Sequence, residues 1–197
     1  LMRVLQIEGF GNFTFSAITI ALIGFGASGT LAYIFRKAVF NKFRFTFALS
    51  SALFILFLGA GFYLSWLINF DPLRIVWEVR QTLKLLLIFF FYSLPFIAGA
   101  LQIVLGFGLI EAGKTYFSNL TGSFTGIILS IASMYFIEPK GLLLLPLVLG
   151  SVSTIISVSN YISAKESNKT SLIFLSIISI GIGFFLYGRG DIRIMEY

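Results

Sequence analysis

Side chains that could carry out covalent chemistry are scarce in this sequence. The chain contains no Cys and no His, which excludes thiolate nucleophiles, imidazole bases, disulfides and nearly all zinc sites. The remaining residues hold no Ser/His/Asp set, no P-loop and no spacing typical of metal ligands. We therefore predict no catalytic residue, no metal site and no cofactor site within this chain.

One small polar group stands out among the residues that remain. Glu111 and Lys114 lie three residues apart at the edge of a long apolar segment, and Tyr116 and Asn119 follow them. On a helix, residues three apart share a face, so Glu111 could pair with Lys114. Ionisable groups close to lipid are costly and often functional, which makes the four residues a candidate polar site at a membrane edge. The alternative is an ordinary turn with snorkelling side chains, and the sequence alone favours it.

Long segments without any charge must position these residues. Each holds about 19 residues or more, enough for an α-helix to cross a hydrocarbon core of about 30 Å. We predict an all-α integral membrane protein whose six spans lie at about 13–35, 45–67, 85–108, 116–137, 142–162 and 170–188. Together they form one transmembrane domain over residues 1–188, with a short tail at 189–197.

Composition and charge agree with lipid as the main partner. Only 11% of the residues are charged, against about 25% in ordinary soluble domains. The net charge of +6 comes from Lys and Arg scattered in ones and twos between apolar segments. Such residues face anionic headgroups, whereas nucleic-acid binding needs a solvated basic face, so we expect no nucleic-acid partner. Seven basic residues fall on each side of the predicted spans, which leaves the orientation undecided.

The connection between the second and third spans has a helical pattern. An aspartate followed by a proline is typical of a helix start, and apolar residues then recur at helical spacing. Arg74 and Glu78 lie four apart, where they can pair weakly. We predict a short interfacial helix on the membrane surface, with an ordinary polar loop as the alternative. The residues assigned to it are Asp71, Pro72, Arg74, Trp77 and Arg80.

Glycines at close spacing occur in two of the spans. Gly24, Gly26 and Gly29 match the G-x-G-x-x-G pattern of dinucleotide sites. That pattern needs a preceding strand, whereas here it lies inside an apolar span, so the match does not indicate a nucleotide site. Small residues instead let two membrane helices approach closely. We predict the same packing role for Gly122 and Gly126.

Four stretches, taken in order, are characteristic when considered together. The first is the glycine-bearing run 20–30, and the last is the Tyr-Phe-Ser-Asn-Leu-Thr-Gly run that starts at Tyr116. Between them lie Phe-Asp-Pro-Leu-Arg at 70–74, with Trp77 and Arg80-Gln81, and the Leu-Pro-Phe run at 94–96 before Ala98-Gly99. In this order they resemble the membrane region of bacterial proteins in which transmembrane helices precede a spermidine synthase-like domain.

The resemblance implies a division of labour within a longer polypeptide. In such proteins a soluble domain follows the last membrane helix and would bind an S-adenosylmethionine-type nucleotide. That domain would act as an aminopropyltransferase-like or methyltransferase-like transferase, so whether the whole protein is an enzyme is left open. The present chain would then be an excerpt of a longer protein of the bacterial cytoplasmic membrane. Residues 189–197 would lead into its soluble domain. The family often has a histidine near Asn12, so a role for that ring is in doubt here.

Two other functions remain open at this stage. Pro95 and Pro146, each predicted to bend its span, could supply the mobile, partly hollow bundle of a small-molecule or lipid transporter. A path for polyamines would be expected to contain buried acids, and no acidic residue lies inside a predicted span. A structural subunit that packs on other membrane chains through its glycines is the third alternative.

Overall fold

The structure is a computed structural model, and it describes residues 14–68, 70–71, 74–75, 77–138, 141–163 and 169–189. Almost all of these residues are helical, and no strand occurs among them. A short 3₁₀ helix, Gly141–Leu143, precedes the sixth α-helix. The α-helices are α1 (Thr14–Ile34), α2 (Arg36–Asn41), α3 (Phe43–Leu67), α4 (Val79–Leu109), α5 (Ala112–Ser133), α6 (Leu144–Ser163) and α7 (Lys169–Arg189).

Five of these helices, α1, α3, α4, α6 and α7, are long and apolar enough to cross a membrane. This agrees with the predicted all-helical integral membrane class. The helix α5 is not among the five, although it has 22 residues. Seven of those residues are Ser or Thr, and Lys114 and Asn119 add further polarity. The sixth span therefore stays a prediction.

The helix α3 lies at the centre of the bundle. The helices α4, α6 and α7 all pack against it, while α1 packs on the outer side of α4. Ile55 of α3 is fully buried with Leu58 and with Leu147 of α6. On the α4 side, the hydroxyls of Ser65 and Tyr92 lie 2.7 Å apart and share a buried hydrogen bond. Membrane helices associate through this kind of close packing and interhelical hydrogen bonding.

The contacts of α3 with α6 and α7 fix their relative directions. Ala48, early in α3, packs against Tyr161 late in α6, whereas Phe62, late in α3, packs against Leu143 just before α6. The two helices are therefore antiparallel. Ala48 also packs against Leu172 at the start of α7, so α7 runs parallel to α3.

Contacts near both ends also fix the directions of α4 and α1. Gly61, late in α3, lies against Phe91, whereas Phe54 in the middle of α3 lies against Gly99, so α3 and α4 are antiparallel. Early α1 packs on Ile88 and later α1 on Phe96, so α1 runs parallel to α4. We call the end of the bundle where α3 begins the Arg44 face. The opposite end, where α3 ends and α4 begins, is the Asp71 face.

The two prolines have different effects. Pro95 lies inside α4, as predicted, and because it has no N–H the carbonyl of Phe91 loses its helical partner. Gly61 of α3 faces that carbonyl, and a Cβ at Gly61 would be 3.2 Å from the oxygen. Pro146 is the third residue of α6 and lies in its first turn, where the N–H has no helical acceptor in any case. Pro146 therefore removes no hydrogen bond within α6, and the predicted bend of this span stays a prediction.

The segment before α4 differs from the predicted interfacial helix. Helix α4 begins at Val79, so Arg80 lies in the first turn of the long helix and not on a separate one. Glu78 is extended, with φ −123° and ψ 110°, and this interrupts the helical path. Arg74 lies in a short 3₁₀ turn, while Pro72 is outside the described residues. The apolar residues whose spacing predicted one helix are thus divided between a turn and the first residues of α4.

Candidate functional site

Polar side chains tie the Asp71 loop to the start of α4. The guanidinium of Arg74 lies 3.1 Å from the Asp71 carboxylate and 3.7 Å from that of Glu78, which confirms the predicted Arg74–Glu78 pair. Gln81 is buried; its carbonyl oxygen accepts the Asp71 N–H at 3.2 Å, and its amide donates to Glu78 at 3.4 Å. Trp77 is exposed beside this network. The ion pairs are largely solvated and so contribute at most about 1 kcal/mol each. These contacts therefore order the loop that precedes α4.

The predicted polar site at the start of α5 is assembled only in part. Lys114 Nζ lies 3.0 Å from Glu111 Oε2, as expected for residues three apart. The two side chains are 75% and 69% exposed, so the pair is a surface ion pair. Tyr116 and Asn119 are also exposed, and residues two apart on a helix point in different directions. The structure thus shows the Glu111–Lys114 pair, and the four-residue site stays a prediction.

The five glycines proposed for helix packing fall into two groups. A Cβ at Gly24 would lie 2.5 Å from Phe96 Cβ, so α1 and α4 meet closely there. At Gly26, Gly29, Gly122 and Gly126, by contrast, a Cβ would have no atom of the described chain within 4 Å. Helices α3 and α7 meet backbone to backbone at another pair of glycines, Gly59 and Gly183.

A large concave feature lies between α4 and α6, close to the Arg44 face. Both helices pack on α3 but make little contact with each other, which leaves a cavity of about 810 Å³. We call it the α4–α6 cavity. Three helices line it, with residues Phe43, Arg44, Phe47, Leu105, Gly106, Leu109, Ile110, Leu149, Val152, Ser153, Ile156, Ser157, Asn160 and Tyr161.

The wall of the cavity is apolar, with a polar end. The hydroxyl of Ser157 donates to the Ser153 carbonyl at 2.7 Å, so it is already satisfied within α6. Arg44 and Asn160 supply the polar groups towards the Arg44 face. The Arg44 guanidinium lies 5.4 Å from the centre of the Phe43 ring, which is a cation–π contact. No carboxylate occurs among the described residues that line this cavity.

Arg44 occupies an unusual position for a basic residue. It is the second residue of α3, and the first turn of that helix contains no acidic residue. The N-terminal end of a helix carries a partial positive charge, so a cation in the first turn is unfavourable for the helix. The Arg44 guanidinium and the N-terminal end of α3 thus lie together at this end of the cavity.

This arrangement can bind an amphipathic molecule, and the described lining has no nucleophile paired with a base. Within the described residues there is no group of three His, Cys, Asp or Glu that could hold a metal ion. Sequence patterns did not indicate the cavity, although Arg44 and Asn160 were visible as polar residues at or within apolar segments.

No protein-family model, no curated protein and no solved structure matches this chain.

Proposed function

We propose that this chain is a non-catalytic membrane module that holds a lipophilic small molecule in the α4–α6 cavity. The cavity itself carries the proposal. Its volume of about 810 Å³ lies within the range of about 300–1,000 Å³ that is typical of small-molecule sites. Its wall is mainly apolar with a few polar groups at one end, which is the usual composition of such sites.

The exposure of α6 supports entry of the ligand from the bilayer. Leu149, Val152 and Ile156 line the cavity and are each about half exposed. In a membrane this exposed surface meets lipid tails rather than water. A lipophilic molecule can therefore pass sideways between α4 and α6 without crossing the bundle.

The charge of the lining distinguishes between ligand classes. A polyamine carries several positive charges, which would leave water without a carboxylate partner among the described residues that line the cavity. A neutral or anionic lipophile has no such penalty. The proposal is therefore a lipid-like ligand and not a polyamine.

A Val152→Trp substitution tests whether the cavity is occupied. The larger ring should fill the space beside Leu149, so a diazirine-bearing alkyl probe should label the cavity-lining residues of α4 and α6 only as strongly as their lipid-facing neighbours. Val148→Trp is the matched control, because Val148 is 48% exposed on the same helix, against 49% for Val152, but does not line the cavity. Labelled peptides would be identified by mass spectrometry, and equal labelling of the wild type and both variants would refute the proposal.

We also propose that α5 crosses the membrane as a sixth span. Helix α4 ends at the Arg44 face and α6 begins at the Asp71 face, since both are antiparallel to α3. Residues 110–140 must therefore connect opposite ends of the bundle. The 22 residues of α5 span about 33 Å at 1.5 Å per residue, against a hydrocarbon core of about 30 Å. Thr115, which donates to the Gly106 carbonyl at 3.1 Å, holds the start of α5 against the end of α4.

A second candidate function is the membrane module of a spermidine synthase-like protein. It is supported by the sequence resemblance and by the ordered polar network at Asp71, which lies on the face where α7 ends. Such a surface suits a soluble domain that follows α7. We expect no S-adenosylmethionine binding by the 197-residue chain in calorimetry, and binding only after a natural downstream extension is added. Binding by the 197-residue chain alone would contradict this division of labour.

A further inference from the structure

We infer that the α4–α6 cavity holds one ester-linked glycerolipid from the leaflet at the Arg44 face, with an ester carbonyl at the Asn160 amide and an acyl chain along α6. This inference rests on the proposed function, because it specifies which lipophile the cavity holds. Three features of the described residues support it: the hydrogen bonds of the lining, the depth of Asn160 in the membrane and the length of the apolar wall.

Several polar groups of the lining are already used within the protein. The Ser157 hydroxyl donates to the Ser153 carbonyl at 2.7 Å. The Gly106 carbonyl accepts the Ile110 N–H at 2.9 Å and the Thr115 hydroxyl at 3.1 Å, which uses both of its lone pairs. These groups therefore offer little to a ligand.

The Asn160 amide differs from these groups. Arg44 and Tyr161, which also line the cavity, have interaction partners, whereas the Asn160 side chain makes no hydrogen bond within the described part of the chain. Its amide nitrogen carries two N–H donors. An amide at the edge of hydrocarbon is costly without a partner, so a favourable occupant brings an acceptor to this point. An ester carbonyl is such an acceptor, and it carries no charge that would need a carboxylate in the lining.

The depth of Asn160 matches the ester groups of a leaflet. Asn160 lies three residues before the end of α6 at Ser163, which is about 4.5 Å along the helix. The apolar segment Gly141–Ser163 spans about 35 Å, slightly more than a hydrocarbon core of about 30 Å. Its end therefore projects a few ångströms beyond the core, and Asn160 lies close to the boundary. Acyl chains start at their ester carbons, so the ester carbonyls of a glycerolipid mark the same boundary.

The length of the apolar wall matches one acyl chain. Along α6 the lining extends from Asn160 inward to Leu149, which is about 16 Å at 1.5 Å per residue. Half of a hydrocarbon core of about 30 Å is about 15 Å. A chain that begins with its ester at Asn160 therefore reaches the middle of the membrane at Leu149, beside the apolar side chains of Val152 and Ile156.

Native mass spectrometry from nanodiscs tests whether the site recognises an ester. The nanodiscs would contain equal amounts of a diester phosphatidylcholine and its diether analogue, which has the same chains and headgroup but no carbonyls. We expect the wild type to retain the diester lipid with a preference of about fivefold, as one net hydrogen bond supplies. Asn160→Leu keeps a similar volume without the amide and should abolish the preference, whereas Asn160→Gln should keep part of it. Ser159→Leu is the control, because Ser159 is adjacent and exposed but does not line this cavity, and it should leave the preference unchanged.

The Val152→Trp variant separates failure of this inference from failure of the proposed function. If this variant loses the retained lipid but the wild type retains diester and diether lipids equally, the cavity binds lipid without recognising an ester, and this inference alone is overturned. The same conclusion follows if Asn160→Leu keeps the full preference of the wild type. If Val152→Trp retains lipid like the wild type, or if the wild type retains none, the cavity is not a lipid site and the proposed function fails as well.

Discussion

A Gly59→Val substitution is expected to separate α3 from α7 and to destabilise the bundle by about 3 kcal/mol or more. A Cβ at Gly59 would lie 2.8 Å from the Cα of Gly183 and 2.9 Å from its carbonyl carbon. Backbone atoms cannot rotate out of the way as a side chain can. A Cβ at Gly183 would in turn lie 3.0 Å from the Ile55 carbonyl oxygen, so the two helices touch along their backbones.

The measurement is thermal unfolding in detergent, and the control is another glycine of α7. At Gly181 a Cβ would meet no described atom within 4 Å, so Gly181→Val should change the melting temperature little. Both substitutions add the same side chain to a helical glycine, so the difference between them reports the contact with the neighbouring helix. Equal melting temperatures for the two variants would show that α3 and α7 do not meet at Gly59.

Cysteine labelling is expected to place the two ends of α5 on opposite sides of the membrane. The chain has no native cysteine, so single substitutions can be read without background. Gly113→Cys lies at the start of α5, near the Arg44 face, and Phe136→Cys lies just after its end. Lys37→Cys and Trp77→Cys provide references for the Arg44 face and the Asp71 face.

An impermeant maleimide is added to one side of sealed, uniformly oriented vesicles. It should label one of the two reference cysteines and one of the two cysteines at the ends of α5. Specifically, the start of α5 should label together with Lys37→Cys, and the end of α5 together with Trp77→Cys. Labelling of both ends from one side would show that α5 does not cross, which would contradict the antiparallel packing of both α4 and α6 on α3. The result is all-or-none because a maleimide with a fixed charge does not cross the hydrocarbon core.

The bounds of most of the long apolar helices were predictable because they depend on local composition. Runs without charge place α1, α3, α6 and α7 close to their predicted bounds. The position at which α4 begins was harder to predict from the sequence. The sequence predicts Arg80 in a separate interfacial helix and the third span from about residue 85, whereas α4 begins at Val79 and includes both Arg80 and Lys84. Long basic side chains can lie along a membrane helix and reach the headgroups, so a charge near the end of a span does not define its limit.

The site depends on relations that no local pattern contains. Gly24 and Gly26 lie in the same apolar span, yet only Gly24 meets another helix, because the outcome depends on which face α4 covers. The cavity likewise arises because α4 and α6 share α3 as a partner but diverge from each other. Arg44 and Asn160 lie more than a hundred residues apart in the chain, so their common position at one end of the cavity could not be read from their sequence surroundings.

The proline in α4 has a mechanical consequence for the space beside it. The segment of α4 before Pro95 is held by α1 at Ile88, whereas the last turns, from Leu105 onward, form one wall of the cavity. A helix that lacks one backbone hydrogen bond is easier to deflect at that point. Small pivoting motions at Pro95 would therefore widen or narrow the gap to α6 while the anchored half stays in place.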